Sequence, residues 1–205
     1  MQLFHGGVRA PSSVTGLQPW SASEFTEERP DFEPPRAATG EDILRVVAQF
    51  RAAAERAVAA GFDGVELHGA HGYLLSQFLS RMQNTRDDAW GGPFENRARL
   101  LRTVLREVRA AVPKAVVGVR ISPEDFGQAR GLDLDESLEL ARWIADDGAD
   151  FLHLSLWDTF RTTSKRVDRH PIPLFREVLP SDVRIVVAGR IWTRDEGEKL
   201  LALGA

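Results

Sequence analysis

Three side chains able to polarise and protonate a carbonyl compound fall within six residues, in His68-Gly69-Ala70-His71-Gly72-Tyr73. Two neutral imidazoles can each donate an N–H to one carbonyl oxygen, stabilising the negative charge that gathers there as an enolate-like species forms. A phenol beside them can pass a proton to carbon as a general acid. A His-x-x-His pair can also hold a metal, but no third ligand stands nearby, so no metal is expected. Either histidine alone would read as a structural residue. The three together, at the end of the apolar run Gly64-Val65-Glu66-Leu67-His68, read as a site.

Other positions suit a flat, electron-accepting partner. Arg120 lies late in Val116-Val117-Gly118-Val119-Arg120-Ile121-Ser122, and a permanent cation in a buried strand needs an anionic or polar partner. A reduced flavin, negative near N1 and its neighbouring carbonyl, is one such partner; an internal ion pair with Glu66 is the alternative. The amide of Gln2 donates and accepts at once, matching the edge of a flavin pyrimidine ring, although a glutamine near a terminus is more often solvated. Gly189 opens a strand-to-helix turn whose free N–H groups could hold a phosphate, with Arg190 assisting. The competing reading there is a simple tight turn.

The elements that must position these residues repeat regularly. Strand signals cover Gln2 to His5, Gly64 to His68, Ala115 to Ile121, Asp150 to Ser155 and Arg184 to Ala188. Helix signals cover Thr39 to Ala60, Phe94 to Val112, Leu134 to Asp147, Pro173 to Leu179 and Thr193 to Leu203. Thr39 is a plausible N-cap, as is Asp133 or Asp135; Pro93 suits a first turn, Pro113 a stop, and Gly61 and Gly148 the far ends. Short strand-helix-strand connections imply parallel strands and right-handed crossovers. Runs that are apolar almost throughout suit a sheet buried on both faces, a barrel wall or a doubly wound sheet. Both put their chemistry at the C-terminal ends of the strands, where His68, Arg120 and Gly189 fall. Residues 6–38, rich in Pro, Ser, Glu and Arg, read as a long loop over the barrel mouth, with a hairpin as one option.

The 205 residues require no more than one domain. A formal charge of -4 argues against nucleic acid, which selects clustered Lys and Arg. The absence of Cys excludes disulfides, thiolate metal sites and a cysteine nucleophile. No window has the length of apolar sequence that spans a membrane, and the first residues lack the order of a signal peptide. The expectation is a cytoplasmic enzyme acting on a small molecule, with a homo-oligomer left open.

The run His68-Gly69-Ala70-His71-Gly72-Tyr73-Leu74-Leu75-Ser76-Gln77-Phe78-Leu79-Ser80, with Asn84-Thr85-Arg86-Asp87-Asp88 and Gly91-Gly92-Pro93-Phe94-Glu95-Asn96-Arg97 after it, resembles the old yellow enzyme family of NADH:flavin oxidoreductases. Gln2-Leu3-Phe4-His5-Gly6-Gly7, Val119-Arg120-Ile121-Ser122 and Val187-Ala188-Gly189-Arg190-Ile191 resemble its other blocks in order, so the likeness spans the chain. It implies an α/β fold, a (β/α)8 TIM barrel of which residues 1–205 form an incomplete part, about the third strand to the seventh helix. It implies FMN as cofactor and NAD(P)H as hydride donor, with NADH and NADPH not distinguished. His68 and His71 would bind the oxygen of an α,β-unsaturated carbonyl substrate, and Tyr73 would be the proton donor. Gln2 and Arg120 would touch the flavin ring, and the phosphate would lie near Gly189 and Arg190. Hydride would pass from nicotinamide to flavin N5 and on to the substrate β-carbon, with a proton going to the α-carbon. Arg81, Trp90 and Pro93 depart from the family pattern at positions that read as structural, Gly92 being the replacement cap. Related dienoyl-CoA reductases and amine dehydrogenases are alternatives, although many carry an iron–sulfur cluster on a cysteine-rich extension. An inactive barrel fragment, and a flavin-free barrel enzyme for a phosphorylated substrate, are the readings from other classes.

Overall fold

A computed structural model describes residues 1–28, 30–127 and 129–205. In chain order the elements are β1 (Gln2–Leu3), a 3-10 turn (Gly7–Arg9), α1 (Ser12–Thr15), β2 (Trp20–Ser21), β3 (Arg36–Ala37), α2 (Gly40–Ala59), β4 (Gly64–Gly69), α3 (Leu74–Leu79), α4 (Phe94–Ala111), β5 (Val116–Ile121), α5 (Leu134–Asp146), β6 (Phe151–Ser155), α6 (Pro171–Val178), β7 (Arg184–Ala188) and α7 (Arg194–Ala202).

Five parallel strands form one sheet in the order β1-β4-β5-β6-β7. Each newly added strand joins the same advancing edge. A doubly wound sheet reverses its strand order at a switch point; this one never does, so the ambiguity left by the apolar runs resolves to a (β/α) barrel wall.

Alternation along the strands sorts two faces. Val65, Leu67, Val117, Val119, Ile121, Leu152, Leu154 and Ile185 are buried beneath the helices with Val104, Leu105, Leu140 and Ile144. The opposite face carries Glu66, His68, Arg120, His153 and Ser155. Burial on both faces, expected from the sequence, is complete on the helical side and partial on the lumen side, where His68 and Ser155 are buried. The five strands do not close on themselves, and Val116 and Val186 on the lumen side stay exposed. Gly118 is a packing requirement: a Cβ there would lie 2.1 Å from the Phe151 ring on the neighbouring strand.

Helix ends follow the capping chemistry in the sequence. Thr39 and Asp42 form a reciprocal capping box at α2, and Thr193 and Glu196 form another at α7. Asp133, not Asp135, caps α5, its carboxylate accepting from two backbone N–H groups. Helix α6 begins at Pro171, earlier than the apolar pattern alone suggests, because the His170 ring accepts from the Ile172 N–H. Pro93 is itself the residue before the first turn of α4, displacing the cap expected at Gly92. Within 6–38, β2 and β3 pair in parallel, not as a hairpin, because the connecting residues carry the chain back before it pairs. Arg86 ties that pair down, donating to the carbonyls of Ala22 at 2.8 Å and Ala38 at 2.7 Å. Among the described residues no helix is long and apolar enough to cross a membrane.

Candidate active site

His68 is carried near the end of β4 on the lumen side and is buried, whereas His71 sits in the turn that follows. That turn is sharp: His71 has φ 61° and Gly72 φ 71°. Histidine tolerates the left-handed region better than most residues, but holding it there requires support from neighbours. Support comes from every side. The His71 N–H donates to Ser122 Oγ at 3.2 Å, Gln77 Nε2 donates to the Gly72 carbonyl at 2.7 Å, and Arg9 Nε donates to that carbonyl at 3.3 Å.

The result is a compact group of three rings. The His68 and His71 rings stand edge to face with centroids 4.8 Å apart, and the Tyr73 ring lies 5.0 Å from that of His68. The guanidinium of Arg9 lies over Tyr73, 5.5 Å from its centroid. Burial, reinforced by His71 and Arg120, pushes the His68 imidazole down to about 4. Burial also lowers His71, helped by Arg120 and Arg9. Both imidazoles are therefore neutral near pH 7, the state in which each has one N–H to give. His68 Nδ1 accepts from the Ala70 N–H at 3.4 Å, which leaves its proton on Nε2.

Beside the rings, Arg120 donates from Nη2 to Ser155 Oγ at 2.9 Å, while its Nε is buried without a partner. It makes no ion pair with Glu66. The Glu66 carboxylate accepts instead from Gln2 Nε2 at 2.5 Å and from His153 Nδ1 at 2.7 Å. Burial alone would raise the Glu66 carboxyl, yet these bonds and the fields of His153 and Arg120 leave it below its ordinary value.

A cavity of about 410 Å³ gathers His71, Arg120 and Gly189 with Arg9, Ser155 and Trp157. Gln2 lies apart, on a cleft toward α2, and Tyr73 faces a second cavity shared with Phe4 and Arg9. Arg190 turns outward, 61% exposed and 3.6 Å from Asp158. The sequence reading missed Arg9, Ser122 and Ser155, and named Glu66 only as an alternative partner for Arg120. A signal existed for the serines, each standing at the C-terminal end of a strand.

FMN fits these residues on one count. The orphaned Arg120 Nε is a buried donor in the wall of the cavity, suited to an electron-rich ring edge. Gly189 has φ 146°, and a Cβ there would fall 1.8 Å from the Leu156 carbonyl oxygen, so internal packing of this turn against Leu156 already requires glycine.

Comparison with known proteins agrees. Residues 1–184 match the NADH:flavin oxidoreductase / NADH oxidase family. A probable NADH-dependent flavin oxidoreductase of Bacillus subtilis is 33% identical over 100% of this chain and 56% of its own length. An NADPH dehydrogenase of Bacillus licheniformis is 42% identical over 76% of this chain and 44% of its own. The NADH:fumarate oxidoreductase of Klebsiella pneumoniae is 39% identical over 78% of this chain and 18% of its own. The chain thus spans about half or less of these relatives. The structure of the old yellow enzyme homologue from Zymomonas mobilis superposes with a TM-score of 0.82 at 30% identity, covering 99% of this chain and 59% of that one. A 2-naphthoyl-CoA reductase complex gives 0.85 at 23% identity, a likeness of fold, over 98% of this chain and 34% of that one. With nine-tenths of its length matched and its barrel wall superposed, the chain belongs to the NADH:flavin oxidoreductase family, whose members use FMN and NAD(P)H.

Proposed function

We propose that the chain carries the substrate-activating part of an ene-reductase-type FMN enzyme, which reduces the C=C bond of α,β-unsaturated carbonyl compounds. The observation that carries this reading is the clustering of two neutral imidazoles and a phenol, the His71 and Tyr73 ring centroids each lying about 5 Å from that of His68. His68 Nε2–H and one N–H of His71 converge on the substrate carbonyl oxygen and draw electron density toward it. This makes the β-carbon electron-poor and stabilises the negative charge that builds on oxygen. Neutral donors suit this role, since burial and nearby guanidinium groups would oppose a charged imidazolium there. FMN, when bound, supplies the hydride that NAD(P)H has delivered to it. Arg120 would hold the pyrimidine edge of the ring, with Gln2 reaching it from the Glu66 side, and the Gly189 backbone would approach the phosphate. Tyr73 donates the proton that the α-carbon needs for neutral product to leave.

Para-substituted phenols test the reading, because a phenolate oxygen mimics the enolate-like oxygen. Phenol titration of FMN-loaded protein should give a long-wavelength charge-transfer band that His68→Ala or His71→Ala abolishes. Unchanged phenol affinity in both variants would contradict the donor pair.

A further inference from the structure

Ser155 ends β6, is 8% exposed, and stands between the two halves of the site. Its Oγ lies 2.9 Å from Arg120 Nη2 and 2.6 Å from His71 Nε2. A guanidinium has only donors, so one lone pair of the serine oxygen is committed to Arg120. Among the described residues the hydroxyl proton then has a single acceptor within reach, His71 Nε2. A neutral imidazole that accepts at Nε2 must carry its own proton on Nδ1. The opposite arrangement, Nε2–H donating to the serine, would leave Nδ1 bare and reduce the carbonyl-binding pair to His68 alone.

We propose that Ser155 is a positioning residue that holds His71 in its Nδ1–H form, so that His71 donates from Nδ1 while His68 donates from Nε2. The functional consequence rests on the carbonyl-binding role given to His71 above; the tautomer itself does not. The geometry also couples the halves of the site. Arg120, placed to hold the flavin edge, orients the hydroxyl that sets the proton on His71, so filling the cofactor side and arming the substrate side share one atom. Ser122, at the end of the adjacent strand, holds the His71 backbone in its left-handed turn and leaves the ring orientation to Ser155.

The test is nitrogen NMR on 15N-histidine-labelled, FMN-loaded full-length protein, in which the five histidines of these 205 residues can be assigned by single substitution. His71 should show a protonated Nδ1 and a bare Nε2. Ser155→Ala should move the proton mainly to Nε2, whereas Ser155→Thr, which keeps the hydroxyl, should restore the native pattern. Phenol affinity should fall about tenfold in Ser155→Ala and stay near native in Ser155→Thr. A native His71 protonated at Nε2 overturns the proposal without any variant, so a Ser155→Ala protein that fails to fold does not protect it. An unmoved tautomer in Ser155→Ala overturns it equally. If the tautomers behave as stated but native protein binds no phenol, the Ser155 assignment is upheld and the enone reading falls instead.

Discussion

Acidification should unload the site through His68. Its imidazole titrates near 4 in the folded chain, against an ordinary value of 6.5. The unfolded chain therefore takes up a proton over a range where the folded chain does not, and stability falls as pH falls through that range. Below about 4 both states are protonated and the loss stops. Integrating from pH 7.5 to 4.5 gives about 2.5 kcal/mol lost through this one group, about three-quarters of the full gap at about 1.4 kcal/mol per pH unit. His5 and His71 are also lowered by burial and act in the same direction, so the native profile alone does not isolate His68. The comparison that does is His68→Asn, which retains an N–H donor and cannot titrate. Urea unfolding of both proteins at a fixed FMN concentration should give stability curves that converge or cross as pH drops, the variant losing about 2.5 kcal/mol less. Staying above pH 4.5 keeps paired carboxylates such as Asp42 out of the window. Parallel curves would refute the claim that His68 is held neutral by its surroundings, and with it the account of the donor pair.

Tyr73→Phe should slow reduction of an enone by about a hundredfold or more while leaving reduction of the enzyme by NAD(P)H near native, read in separate stopped-flow half-reactions. Equal loss in both would rule out proton donation. Arg120→Gln removes the buried orphan donor and, with Arg120 holding the flavin edge as proposed, should weaken FMN binding at least about tenfold, seen by flavin fluorescence. Gly189→Ala places a methyl group 1.8 Å from the Leu156 carbonyl oxygen, and a backbone shift of that size should lower both FMN affinity and the melting temperature. Asp42 is nearly fully buried and joins Arg36, Arg45 and the Thr39 cap. Asp42→Ala should cost about 3 kcal/mol in urea unfolding, because three polar partners lose one anion.

The barrel wall was legible because its signals are local and repeated. Four apolar runs and five helical stretches each declare themselves within about two dozen residues, and their alternation implies parallel strands. Strand order was not legible in the same way. An apolar run says that a strand is buried, not which edge the next strand joins, and only the sheet itself separates a barrel from a doubly wound fold. The short α3 was also missed, since its buried face has no polar counterpart to give a period: all six residues from Leu74 to Leu79 are buried.

The site divides along a similar line. His68, His71 and Tyr73 could be found because they are close in sequence, at the end of one strand and in the turn after it. The roles of Arg9, Glu66, Ser122 and Ser155 could not, because their meaning lies in pairing with distant residues, even where, as for the serines, a strand-end position gave a signal. Glu66 looked like the partner of Arg120, since both are charged and both lie on lumen positions of adjacent strands. Yet the register sets His68, not Glu66, opposite Arg120 and puts Glu66 beside Gln2. That one step frees the Arg120 Nε and places a serine hydroxyl at the guanidinium's other end. A register shift in β5 that paired Arg120 with Glu66 would close the cofactor side with an internal ion pair and release Ser155 from orienting His71. The chemistry of this wall is thus set less by which polar residues it has than by which strand position each one occupies.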